Sequence, residues 1–243
     1  MRSLIALSIT GLLFSHQLFS QNEENVYNRF AIAISFEPYY SYRQLSYGSE
    51  IKFLETLRNN RELPKFGFST GLNFRYNLSS RFSFESGVIF ANRGMLISTE
   101  NLTWDNPQAD HPVKSKTRFS YYYIEIPLRV NYHFKFGKLN GYTISGISFN
   151  DFISRRTTLI AQRENGEKDK TTSNVNYSYK PDTHSFWIGI GLDIPVSDRF
   201  LLNIEPVYRQ NFTSMSYDKN AKEYFYSFGL NTKLFYGLMK KTK

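Results

Sequence analysis

The chain has 243 residues, enough for one large domain or two small ones, with a formal net charge of +9, no cysteine and 17% aromatic residues. A disulfide scaffold, a Cys-ligated zinc site and a thiol nucleophile are excluded, because each needs a sulfur that the chain lacks. Disorder is excluded by a hydrophobic content of 41%, and a helical membrane protein by a mean hydropathy of −0.44 with no run of about 18 apolar residues past the N-terminus.

Met1 and Arg2 precede an apolar stretch over residues 4–14, followed by the polar Ser15, His16 and Gln17. This is the layout of a secretory signal peptide, 1–20, cleaved after Ser20 to leave Gln21 at the head of a single domain, 21–243. The first alternating segment, 31–42, sets Ile32, Ile34, Phe36 and Tyr40 against Ala33, Ser35, Glu37 and Ser41. Period two means a strand. The pattern is clearest in 66–76, where Phe66, Phe68, Thr70, Leu72, Phe74 and Tyr76 alternate with Gly67, Ser69, Gly71, Asn73 and Arg75. It recurs in 81–91 and in 119–134, where Tyr122, Ile124, Ile126, Leu128, Val130, Tyr132 and Phe134 oppose Tyr123, Glu125, Pro127, Arg129, Asn131 and His133. Residues 142–152 are a strand by position and composition, with no assignable faces. Segments 184–194, 200–209 and 224–238 bring the expected strands to eight.

The connections after the second, fourth and sixth strands are hairpin turns, 78–80, 136–140 and 196–199. Those after the first, third, fifth and seventh are long: 43–65, 93–118, 153–182 and 211–222. Short turns at one end and long loops at the other are the asymmetry of an outer-membrane barrel, with periplasmic turns and external loops. A soluble barrel shares the period, so the faces must decide. The polar face is crowded with Gly67, Gly71, Gly87, Gly189, Gly191, Gly229, Ser35, Ser69 and Ser83, which suit a tight interior better than a solvated exterior. Rings gather near the strand ends, Tyr40, Phe66, Tyr122 and Tyr226 at one end and Tyr76, Phe82, Tyr132, Phe200 and Tyr236 at the other, as two girdles at two membrane interfaces. The expected fold is all-β: an eight-stranded antiparallel up-and-down transmembrane β-barrel in the outer membrane, both termini periplasmic. Pro38, Pro127 and Pro206 lack an N–H for the ladder and predict a bulge or a strand end at each.

The inward face carries five acids, Glu37, Glu85, Glu125, Asp193 and Glu205, and five bases, Arg75, Arg93, Arg129, Arg209 and Lys233. Buried charge is costly unless paired, so a balanced set in a narrow barrel reads as a charge network that plugs the lumen. The alternative is a gated ion path, because charges within a membrane are functional candidates. A hydrolase needs a nucleophile, a base and an orienting acid in reach of one another. His111, His133 and His184 sit in no nucleophile motif, so no catalytic residue is assigned. Asp105, Asp110 and His111 match no metal-ligand spacing, and neither metal nor cofactor is expected. Each long connection is net positive, a basic rim suited to the phosphates of outer-membrane lipid and lipopolysaccharide. No dense basic patch with a recognition fold points to nucleic acid. The long loops on a rigid scaffold are the expected working surface, toward an envelope protein partner.

Three motifs carry a resemblance: Tyr123-Ile124-Glu125-Ile126-Pro127-Leu128, then Ser86-Gly87-Val88 running to Asn92-Arg93-Gly94, and Gly189-Ile190-Gly191. With these the chain resembles the outer-membrane β-barrel family common in the Bacteroidota, which includes PorT-like proteins, over nearly the whole of 21–243. The resemblance implies an outer-membrane barrel and, through its PorT-like members, an accessory role in a secretion machine; it implies no chemistry. One departure is the end of the chain, where Tyr236 is followed by seven residues ending in Lys243 rather than standing last.

Overall fold

The computed structural model describes residues 29–106, 108, 110–137, 139–175 and 179–237. The expected signal peptide, Gln21 and the basic tail at Lys240, Lys241 and Lys243 lie outside these residues. Among the described residues the strands are β1 (Phe30–Tyr47), β2 (Glu62–Asn77), β3 (Phe82–Asn101), β4 (Pro112–Phe136), β5 (Leu139–Arg163), β6 (Lys168–Val175), β7 (Asp182–Pro195), β8 (Phe200–Asn211) and β9 (Ala221–Gly237). All pair antiparallel, each with its neighbour in the order β1, β2, β3, β4, β5, β7, β8, β9, and the ring closes between β9 and β1. The fold is therefore the eight-stranded up-and-down barrel that the alternation implies.

The two faces differ as lipid and lumen require. Leu72 is 67% exposed whereas its neighbour Asn73 is 3% exposed, and the same holds for Ile34 against Ser35. Apolar groups point out and polar groups point in, the inverse of a soluble barrel. Outward rings pair across strands near both ends of this belt, Tyr40 with Phe66 at 5.7 Å and Phe90 with Tyr122 at 5.8 Å toward the loops, Phe82 with Tyr132 at 5.2 Å and Phe200 with Tyr236 at 5.4 Å toward the turns. The inward glycines give room to large neighbours. A Cβ on Gly191 would lie 2.3 Å from the Tyr142 ring, and one on Gly229 would lie 2.6 Å from the Tyr39 Cβ. At Gly137, φ is +60°, which a residue without a Cβ adopts at no steric cost in the turn between β4 and β5.

Several expectations need correction. The connections expected over 43–65, 93–118, 153–182 and 211–222 are shorter, because strands run on beyond the apolar belt: β1 to Tyr47, β3 to Asn101, β4 from Pro112 and β5 to Arg163. Inside the first lies a helix, α1 (Lys52–Arg61). Inside the third lies β6, a ninth strand outside the ring, which pairs with β5 from Arg155 to Gln162 along the edge that β7 takes nearer the turns. Pro38, Pro127 and Pro206 produce neither a bulge nor a strand end. Each sits in unbroken register with one neighbour, Phe68, Ser148 and Leu230 respectively, while the ladder to the other neighbour skips pairs and resumes without a shift. A missing N–H thus costs a bond on one side only. Register shifts occur elsewhere, one of them in the β4–β5 ladder between Tyr122 and Tyr123, where Ile153 is the extra residue on β5. Finally, β5 has faces after all: Tyr142, Ile144, Ser148 and Asn150 are buried, and Thr143, Ser145, Ile147 and Phe149 are exposed.

Candidate functional site

All ten charged residues of the inward face are at most 4% exposed, and strand geometry brings them into two clusters. Toward the turns, Glu85 on β3 is the shared anion. It meets Arg75 at 2.6 Å and Lys233 at 2.5 Å, and also pairs with Arg129. Lys233 reaches on to Glu205 at 2.5 Å, which Arg129 contacts at 3.3 Å. Arg75 also meets Asp193 at 3.4 Å. Neutral side chains add further bonds to the two glutamates: the Tyr142 hydroxyl donates to Glu205 at 2.6 Å, Asn231 donates to Glu205 at 2.9 Å, and Asn131 donates to Glu85 at 2.9 Å. Toward the loops, Arg209 pairs with Glu37 and, at 3.0 Å, with Glu125, which Arg93 meets at 2.6 Å.

Trp187 on β7 joins the two clusters. Its ring is fully buried, with the Arg129 guanidinium 5.0 Å from it and that of Arg209 4.1 Å from it, and its Nε1 donates to the Ser148 Oγ at 3.1 Å. A desolvated guanidinium over an indole gains from the ring quadrupole, so the tryptophan holds one cation of each cluster.

A third cluster closes the loop end. Arg43 on β1 pairs with Glu62 at the start of β2 and, at 2.6 Å, with Glu223 on β9. Arg58 of α1 adds contacts to Glu62 at 3.1 Å and Glu223 at 3.0 Å. Burial pushes the Glu223 carboxyl above its ordinary range, against the Arg43 guanidinium, which pulls it down. Beside this clamp, Met215 from the β8–β9 connection is buried in a cluster with Met95, Tyr121, Tyr123 and Phe225. Tyr179 stacks edge-on with Tyr121 at 5.2 Å, and the Lys180 N–H donates to the Met215 carbonyl at 3.0 Å. The connections after β6 and β8 therefore fold over the mouth. At the other end a cavity of about 490 Å³ opens between the turns, lined by Arg75, Asn77, Lys135, Asp198, Arg199 and Phe235.

The histidines separate. His133 lies between the Ser83 Oγ, 2.8 Å from its Nε2, and Asp193, 3.4 Å from its Nδ1. This has the order of a nucleophile relay, but Ser83 is 0% exposed and Asp193 is also held by Arg75 and Asn203, so the trio is part of the packed lumen. His184 stands between Phe149 and Phe212 on the outer face, whereas Ser185 points inward and bonds Ser148. His111 stacks on Trp104 at 4.5 Å in the β3–β4 connection. No group of three or more His, Asp or Glu side chains able to hold a metal ion occurs among the described residues. Parity marks Trp187 and Tyr39 as inward without giving them a part, and Tyr142 stands on the strand whose faces the alternation does not show. Arg43, Glu62 and Glu223 fall in or beside the connections that the alternation leaves between strands.

A model of the outer membrane protein beta-barrel domain family matches residues 19–240. None of the curated proteins compared matches the chain. Among solved structures, Neisserial surface protein A is 13% identical, over 86% of this chain and 97% of that one, with a TM-score of 0.43. OprG from Pseudomonas aeruginosa is 14% identical, over 84% and 94%, with a TM-score of 0.44. The outer membrane protease OmpT from Escherichia coli is 10% identical, over 85% and 96%, with a TM-score of 0.40.

Glu85→Gln removes the anion that three buried cations share, and is expected to destabilise the barrel by about 3–5 kcal/mol. Lys114→Gln, on an exposed face, is expected to change stability by less than about 0.5 kcal/mol. Urea titration in micelles, read by the shift between folded and unfolded bands on a gel, measures both.

Proposed function

The chain belongs to the outer membrane protein beta-barrel domain family, and from that premise we propose that it is a closed, non-catalytic barrel that acts as a structural or interaction protein through its loop end. In this reading the signal peptide 1–20 is removed, both termini are periplasmic, and the loops face outward to bind an envelope protein partner. The observation that carries it is the continuous filling of the lumen: paired charges occupy it from Arg75 and Glu85 to Arg93 and Glu125, and Met215 covers them at the loop end. A lumen filled this way leaves the work to surfaces outside it, and loops on a rigid scaffold are where such work concentrates. The β5–β6 hairpin is one such surface, carrying β5 on by the whole stretch that pairs with β6.

A second reading is an accessory barrel of a secretion machine, from the PorT-like resemblance. Its support is local: the resembling motifs supply Arg93 and Glu125, a lumen ion pair at 2.6 Å. The shared residues therefore belong to the plug, and the plug would be what such barrels have in common.

Purified protein in planar bilayers is expected to give no steady conductance; a stable open channel would contradict the closed reading. Orientation and partner binding are tested together. The chain lacks cysteine, so Asn165→Cys at the hairpin tip is a unique label site, expected to react with an impermeant maleimide on intact cells. Shortening the hairpin by replacing 157–173 with a brief Gly-Ser turn is expected to abolish crosslinked partner capture while the folded band persists. Labelling only after the envelope is broken, or capture without the hairpin, would count against it.

A further inference from the structure

Beyond the loop-end girdle, β4, β5 and β6 continue as a wall, flanked by β3 as far as Asn101 opposite Lys114. Register is constant from Lys114 opposite Gln162 to Tyr122 opposite Ser154, and from Gln162 opposite Lys168 to Arg155 opposite Val175. Even-numbered residues of these stretches therefore share the face of Tyr122, the girdle ring on the lipid side. That face carries Lys114, Lys116, Arg118, Arg156, Lys168 and Lys170, all exposed except the half-buried Lys116. The acid of these stretches, Asp169, is on the other face, held by Arg163 at 2.8 Å, and Arg163 also takes up Glu167 of the hairpin turn at 3.4 Å. Among the described residues of the wall, the outward face thus holds six cations and no carboxylate. The lowest cation is tied to the girdle, with the Arg156 guanidinium 5.6 Å over the Tyr122 ring. At about 3.3 Å per residue and a strand tilt of about 40°, the six are spread over roughly 20 Å above it.

We infer that this face binds the phosphate-bearing headgroups of the lipid leaflet that surrounds the loop end. The occupant follows from position and charge. The stripe continues the lipid-facing side of the barrel, so its cations point sideways along the membrane, where headgroups stand, and not upward toward a soluble partner. Long Lys and Arg stems can lie along the wall while their charges reach phosphate, and basic clusters at a membrane surface attract anionic headgroups within a Debye length. The inference rests on the proposed outward orientation only for the name of the leaflet; the surface itself does not depend on it.

The test uses the full chain in neutral maltoside micelles, offered diphosphoryl lipid A, its dephosphorylated form and phosphatidylcholine, with bound lipid counted by native mass spectrometry. The phosphorylated lipid is expected to be retained about tenfold over the other two. Lys114→Gln, Arg118→Gln, Arg156→Gln and Lys170→Gln combined are expected to erase that preference. A charge-matched control with Lys52→Gln, Arg61→Gln, Lys219→Gln and Lys222→Gln is expected to keep it. Equal retention of all three lipids, an unchanged preference in the face variant, equal loss in both variants, or displacement by equimolar inositol hexakisphosphate would overturn the proposal. The last outcome would identify a soluble polyanion as the ligand instead. Micelles have no inside and outside, so failure here is distinct from failure of the labelling that tests orientation.

Discussion

Closing eight strands on themselves leaves an interior just wide enough for side chains, and the rest of the structure depends on that constraint. Hydrocarbon outside the ring admits no open sheet edge, so the ring must close and its outward side chains be largely apolar. The charged side chains of the membrane-level strands named above are then directed into a narrow space with little room for solvent. Charges there have to be matched by other charges, which is why Glu85 serves three cations and Arg209 two acids. The glycines are the counterpart: where the Tyr142 or Tyr39 ring lies over an adjacent strand, its register partner there, Gly191 or Gly229, has no side chain.

The ends of the barrel are unlike. At the turns the lumen opens into a cavity with Arg75 among its lining residues. At the loops the chain closes twice, by the Arg43, Glu62 and Glu223 clamp and by the Met215 cluster. The clamp ties together three strands and, through Arg58, the helix α1, so the first connection is anchored and not loose. Between the ends, Trp187 links the two charge clusters through Arg129 and Arg209. The interior is thus one packed body, with the wall and hairpin rising above it.

How much of this was legible in the sequence depends on where two solvents meet. Within the membrane one face of each strand touches lipid and the other touches protein, so Phe66 through Tyr76 or Tyr122 through Phe134 alternate plainly, and the ten lumen charges could be named from parity. Strand β5 was opaque because it inverts the rule, burying Tyr142 and Ile144 and exposing Thr143 and Ser145. Above the membrane both faces are polar, so Lys114, Ser115, Lys116 and Thr117 carry no alternation although they are strand. That is why the extensions of β3, β4 and β5, and β6 itself, look like loop in the sequence. The clamp left no local trace, since Arg43 meets a residue 180 positions away. Parity could place Trp187 inside, but its partners come from β4 and β8, and that requires the closed ring.

The central claim is that the lumen is packed closed around the buried Trp187. The chain has two tryptophans, so Trp104→Phe leaves Trp187 as the sole indole emitter, and acrylamide and iodide quenching of its fluorescence in the folded barrel reports access directly. The account predicts emission shifted to the blue and quenching by either agent far below that of the urea-unfolded chain. Quenching of the folded barrel as efficient as that of the unfolded chain would show a water-filled lumen and contradict the account.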